Sequence, residues 1–175
     1  MRVSTGYSPS CRGSEMTNKL EITLPSDREI RITRSFDAPR NLVWDAHTKP
    51  ELVRRWLLGP PGWEMPVCRI DLRVGGEYRY EWEDKGRNKK MGMGGVFTEV
   101  KLVEKIASRE KFDDDWTGGE TLASQIFTEK SGKTKLVMTV LYASKEARDG
   151  AAATGMTDGM EAGYQRLDEV LAELG

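Results

Sequence analysis

Histidine is almost missing from this chain: His47 stands alone among 175 residues. Zinc sites draw three or four His, Cys or carboxylate ligands at set spacings, so an isolated His fits none of those patterns. Cysteine is nearly as scarce. Cys11 and Cys68 cannot make a disulfide framework, and reduced thiols in the cytoplasm are the expectation. No apolar run approaches the roughly 18 residues of a membrane span, and the opening stretch has no apolar core of the secretory-signal kind. Membrane insertion is not expected. An excess of one charge is lacking too: 27 basic against 28 acidic residues leave −1, so no global field draws nucleic acid. The basic tip Lys85, Arg87, Lys89 and Lys90 lacks the interleaved aromatics of a nucleic-acid site and reads as a solvated turn.

Catalytic signatures are missing as well. Gly59-Pro60-Pro61-Gly62 and Gly75-Gly76 lack the Lys and Ser/Thr of a phosphate loop, and there is no serine nucleophile elbow. Asp113-Asp114-Asp115 has neither the Gly position nor the terminal Glu of a calcium loop. A dyad of Cys68 and His47 has no motif behind it; both read as structural. No catalytic residue, metal or cofactor is expected.

What the chain does have is periodicity. Residues 1–18 are rich in Ser, Gly, Thr and Pro without a period, which predicts a disordered extension before a single domain over residues 19–175. Alternation predicts strands around Lys19–Leu24 and Glu29–Phe36, the second turning Ile30, Ile32, Arg34 and Phe36 to one face. The period then changes. Asp37 and Pro39 predict a helix start, with Leu42, Val43, Ala46 and His47 inside. Thr48 predicts a cap for a second helix, carrying Leu52, Val53, Trp56 and Leu57 up to the Gly-Pro stop.

Six strands joined by tight turns follow: Trp63–Val74, Glu77–Glu83, Lys90–Val100, Lys105–Phe112, Glu120–Lys130 and Lys133–Ala143. The chain ends in its longest helical pattern. Ser144 can cap a first segment, Gly150 and Gly155 weaken the middle, and Thr157 or Asp158 can restart it. Met156, Met160, Gly163, Tyr164, Leu167, Val170, Leu171 and Leu174 form one stripe, with Glu161, Gln165, Arg166, Asp168, Glu169 and Glu173 largely opposite. The sum is an α+β fold with helices on one side of a curved antiparallel sheet.

Tyr78, Tyr80 and Trp82 project from one face of one strand, and Met91 and Met93 from the next. Met156 and Met160 lie on the helix that covers this face. Such side chains either fill a core or line an adaptable apolar cavity, and Gly92, Gly94 and Gly95, which allow strong bending, favour the cavity slightly. Trp116, in a polar loop, either covers a cavity mouth or packs on the sheet edge.

The order of short blocks resembles a known family. Arg34-Ser-Phe-Asp-Ala-Pro-Arg40, Val43-Trp44, Thr48-Lys-Pro-Glu51 and Arg55-Trp56 with Gly59-Pro60 resemble the opening of the family named for the activator of the heat-shock-protein-90 ATPase. Asp71-Leu-Arg-Val-Gly75-Gly76, Glu77-Tyr-Arg-Tyr80, Gly95-Val-Phe-Thr-Glu99 and Gly159-Met-Glu-Ala-Gly-Tyr-Gln-Arg-Leu167 resemble its later parts, over roughly Asp27 to Leu174. The resemblance implies the START-like, or SRPBCC, superfamily and the helix-grip fold of the birch-pollen allergen. In that fold a curved sheet grips a long C-terminal helix around a mostly apolar cavity, with two short helices closing one end.

Three functions follow as expectations, and fold-level likeness does not choose among them. The first is non-enzymatic binding of a small apolar or amphipathic molecule. Its cavity residues would be Tyr78, Tyr80, Trp82, Met93, Met156, Met160 and Tyr164, with the entrance near Trp56, Trp63 or Trp116. The second is a stress-response protein docking on a chaperone. The third is a cyclase- or hydrolase-like enzyme using the same cavity, for which a deep carboxyl or His with a perturbed pKa would speak.

Overall fold

A computed structural model describes residues 18–175. The expected N-terminal extension, with Cys11, lies outside the described residues except at its last position. The chain runs β1 (Glu21–Thr23), β2 (Glu29–Phe36), α1 (Arg40–Thr48), α2 (Pro50–Trp56), β3 (Glu64–Ile70), β4 (Glu77–Asp84), β5 (Lys89–Lys101), β6 (Lys105–Phe112), β7 (Thr121–Lys130), β8 (Lys133–Leu141), α3 (Lys145–Ala152) and α4 (Met156–Leu174). The eight strands form one antiparallel sheet in the order β1-β2-β8-β7-β6-β5-β4-β3. β3 to β8 make a meander of neighbouring hairpins, and β2 joins its far side by pairing along β8 from Glu29↔Leu141 to Phe36↔Thr134.

Local chemistry explains the turns. Arg73 donates from Nε to Asp71 (2.8 Å) while the Gly76 amide donates to the Arg73 carbonyl (2.8 Å), closing a tight corner before β4. Gly76 has no substitute there, because a Cβ would stand 2.0 Å from the Asp71 carbonyl oxygen. A register shift between Phe97 and Glu99 breaks the β5–β6 ladder and curves the sheet.

The helix starts differ from the expectation. α1 is preceded by Pro39 without a side-chain cap, since Asp37 instead accepts from Asn18 and pairs with Lys133. Thr48 does not cap α2: its buried hydroxyl donates back to the Trp44 carbonyl at 2.9 Å, and Lys49 takes the cap position. Farther on, Ser144 Oγ accepts from the Ala147 amide (3.0 Å) and caps α3. The break before α4 falls at Gly155, in the left-handed region at φ 75°.

The outer boundary of the α4 stripe is also corrected. Arg34, only 2% exposed, sends its guanidinium to Asp168 at 2.9 and 2.7 Å and lies 3.6 Å from Glu161. Both acids therefore face β2, and Arg34 stacks over the Phe36 and Tyr164 rings between them. Leu167, Val170 and Leu171 are buried, whereas Leu174 is exposed.

Candidate functional site

The ten residues singled out from the sequence fall into two groups. Trp56 and Tyr164 stack with ring centroids 5.6 Å apart, and Tyr164 meets Phe36 edge-on at 5.6 Å. Trp56 donates from its indole to the Ala46 carbonyl (2.8 Å), and Gly163 brings α4 close enough to α2 that a Cβ would lie 3.3 Å from the Trp56 carbonyl oxygen. His47 sits in the same cluster, 4.9 Å from Trp56 and 5.3 Å from Phe127. Its Nδ1 bonds the Val43 carbonyl at 2.7 Å, while Nε2 is buried without a partner. Burial holds this imidazole neutral, with a pKa lowered to about 4. This is packed aromatic core.

The second group lies along the inner face of the sheet. Tyr78 and Tyr80 centroids are 5.3 Å apart, Tyr80 and Trp82 5.9 Å, and Phe97 closes on Tyr78 at 5.0 Å. Trp82 donates to the Leu57 carbonyl (2.7 Å), tying this row to the end of α2. Tyr80 pairs with Met93 in the ladder, so both turn to the same side. Tyr78, Trp82 and Met93 are buried; Trp63, Tyr80, Trp116, Met156 and Met160 are half-buried against the core. Trp116 packs on Phe112, 4.7 Å between centroids, at the end of β6.

Three residues outside the expected set complete this face. Alternation along β6 turns Ile106, Ser108, Glu110 and Phe112 inward together. Tyr78 donates its hydroxyl to Glu110 at 2.7 Å and stands 3.1 Å from Ser108 Oγ. Burial raises the Glu110 pKa against the effect of that hydrogen bond, and no cation offsets the rise. Tyr142, just past β8, reaches Met156 Sδ at the start of α4 (3.9 Å), and burial and then Glu110 push its pKa up to about 12. Burial also raises Tyr78 and Tyr80, each with Glu110 as a further cause. Of these three phenols Tyr78 alone bonds the carboxyl; Tyr80 and Tyr142 respond to its charge.

Glu110 was readable in principle, because the alternation that sends Ile106 and Phe112 inward carries it along. Its neighbours in register are Gly95 and Thr121. Gly95 is needed here: a Cβ would lie 2.3 Å from the Tyr78 ring, which covers that position on its way to Glu110. Cys68 is buried on β3, its thiol pushed up to about 11, chiefly by burial, and it forms no hydrogen bond with His47.

On the outer face, Arg69, Arg79, Gly94 and Lys111 lie side by side across β3 to β6. They line an open groove of about 930 Å³ with Arg73, Glu77, Arg109 and Glu120, and Tyr78, Gly95 and Glu110 line it too. Arg79 is locked there by two bonds to Asp113, at 2.7 and 2.6 Å. Among the described residues no group of His, Cys, Asp and Glu could hold a metal ion, and no helix is long and apolar enough to cross a membrane.

An eight-stranded curved antiparallel sheet, two short helices after β2 and a long C-terminal helix on its inner side define a START-like helix-grip protein. The chain belongs within that class to the family described as activator of Hsp90 ATPase homolog 1-like protein, whose model matches residues 37–172. A crystal structure from Rhodobacter sphaeroides is similar at 33% identity and TM-score 0.83, covering 88% of this chain and 98% of that one. A Mycobacterium smegmatis protein shares the fold at 23% identity and TM-score 0.76, over 87% and 97% of the two chains. The AHSA1-like protein from Aeromonas hydrophila shares it at 21% identity and TM-score 0.61, over 80% and 93%. No curated protein matches the chain.

Proposed function

We propose that the protein binds a small apolar or amphipathic molecule between the inner face of the sheet and α4. The observation that carries this reading is the row Tyr78, Tyr80, Trp82 and Met93 on one face of β4 and β5, to which the half-buried Glu110, with Tyr78 as its one protein partner, adds a polar group. A packed core satisfies its polar groups internally or excludes them. A binding site instead places a few convergent polar groups against an apolar wall. Tyr78, Tyr80, Trp82 and Met93 would form the wall on the sheet, Met156 and Met160 that on the helix, and Trp63 and Trp116 would flank the entrance. Trp56 and Tyr164 would support the site from the core. Native mass spectrometry of protein purified from its own host tests this: a co-purified small molecule is the expected result. A bare mass together with no quenching of tryptophan fluorescence by 1-octanol would remove the reading.

A carboxyl and a phenol in contact also meet the minimum for proton transfer, and conversion of the bound molecule during incubation would make the site catalytic. Docking on a chaperone is favoured by a different observation, the charged groove on the outer face. Titration against a heat-shock-protein-90 homologue, compared with R69E and K111E, tests it; equal or absent binding in all three would remove it.

A further inference from the structure

We propose that the outer face of the sheet is a self-complementary docking surface, through which two copies of this chain pack back to back over β7 and β8. This stands apart from the ligand reading above, which concerns the inner face.

An antiparallel sheet with one solvated face turns apolar residues inward and polar residues outward. β7 and β8 break that rule at their centre. Leu122 and Ile126 are 47% and 41% exposed on the outer face of β7. Their ladder partners on β8, Leu141 and Val137, turn the same way and are half-buried. Ser124 pairs with Thr139 between them, so this block of two strands holds no charge. Strand propensity favours the valine and isoleucine, yet it does not call for two leucines. The block occupies the third and fourth places in an order of eight strands, near the middle of the curved sheet.

Charges flank the block in matching positions. Across the outer face, Arg109 of β6, Leu122, Leu141 and Glu29 of β2 form one row. Two rows along, Lys105, Ile126, Val137 and Thr33 form another. A two-fold axis parallel to the strands, between β7 and β8, lays β7 of one copy on β8 of the second and β6 on β2. Leu122 then meets Leu141 of the second copy, Ile126 meets Val137, and Arg109 meets Glu29, each contact occurring twice. In the middle row Arg31 falls on Ala107, beside Glu99 of β5. Both members of the main pair are available. Arg109 has Glu120 at 3.9 Å, both side chains about half exposed, while Glu29 accepts from Ser26 Oγ at 3.1 Å and has no cation among the described residues. A two-fold axis perpendicular to the strands would instead set Arg109 on Lys105, like on like. Four strands about 4.8 Å apart and three rows about 6.8 Å apart give roughly 400 Å² per copy, half the ~800 Å² of a standard interface. The dimer is therefore weak and reversible.

The experiment is sedimentation equilibrium of the full chain under reducing conditions, from micromolar to millimolar concentration. A mass that climbs from one chain toward two is expected. L122D, at a solvent-facing position, is expected to stay monomeric throughout. R109E and E29R each bring like charges together twice per dimer, and each alone is expected to weaken association at least about tenfold. Mixed in equal amounts they restore both opposite pairs, so a one-to-one dimer near the parent affinity is expected. A merely structural role for Arg109 or Glu29 gives no such rescue. A parent chain that stays monomeric at millimolar concentration, a dimer that survives L122D, or a mixture no stronger than its components would overturn the proposal. Circular dichroism checks the fold of each variant, and L122D decides the matter if a charge variant fails to fold.

Discussion

Acidification charges His47 in the unfolded chain long before it can charge His47 in the fold. The imidazole has an ordinary pKa of 6.5 and a folded value of about 4, because burial among Trp56, Phe127 and Phe36 disfavours the cation. Between these values the unfolded state holds more protons, so stability rises with pH and is lost as pH falls from about 6.5 toward 4. Each step of one pH inside that window costs about 1.4 kcal/mol, so the loss is about 2 kcal/mol at pH 5 and about 3 kcal/mol at pH 4. Against a typical stability of about 5–15 kcal/mol this is a large fraction. His47 is the only histidine, which makes the test clean. Urea unfolding is measured from pH 7.5 to 4.5 for the protein and for H47N, whose amide can replace the Nδ1 donor to Val43. The difference between the two stability curves should rise by about 2 kcal/mol on going from pH 7 to 5. A flat difference would refute the assignment of a neutral, buried imidazole.

Glu110 carries the opposite sign: its raised folded pKa gives stability present below the ordinary value of 4.5 and lost as pH rises through the folded value. E110Q should therefore gain on the parent protein at pH 8 and lose that advantage below pH 4.5, read by thermal melts across the range. D168N leaves the buried Arg34 with only Glu161 at 3.6 Å, and a destabilisation of about 2 kcal/mol in urea is expected, below the full cost of a broken buried pair because Asp168 is partly exposed. An unchanged midpoint would show that Glu161 alone suffices. G95A forces a Cβ into the Tyr78 ring; a cost of about 1–3 kcal/mol and loss of the Tyr78–Glu110 bond are expected, seen as a larger advantage of E110Q at pH 8 in that background, because the bond opposes the rise that burial causes.

The fold was legible wherever one face of an element is apolar and its ends carry turn residues. β2 runs over the stretch that alternation predicts, and the six later strands match within a few residues, because hydrophobic phase and Gly-rich turns agree there. Helix starts were less legible, since a cap is a choice among competing partners. Asp37 has the chemistry of an N-cap, yet Lys133 and Asn18 outcompete the helix amides for it. The α4 stripe was misread at its edge for a geometric reason. Asp168 is one step of about 100° from Leu167, close enough to the buried face for a long arginine from β2 to reach it. Of the site, the row Tyr78, Tyr80 and Trp82 was visible as a face. Its separation from Trp56 and Tyr164 was not, because periodicity gives the direction of a side chain but not the element opposite. Glu110 was overlooked because a charge reads as solvent unless its phase is followed.

The two aromatic groups give α4 two halves with different tasks. From Gly163 onward the helix is fixed by close approach to α2, by Leu167, Val170 and Leu171 in the core, and by the Arg34 fork. Before Gly163 it has the left-handed break at Gly155, no side-chain cap, and half-buried Met156 and Met160. Burying a Leu or Val contributes about 1.5–3 kcal/mol, so displacing the second half would cost several such contributions at once. Displacing the first half loses partial methionine burial, the long Tyr142 contact to sulfur and the Glu161 contacts to the Leu20 amide and Arg34. The apolar stripe is continuous along α4, but its resistance to displacement is not.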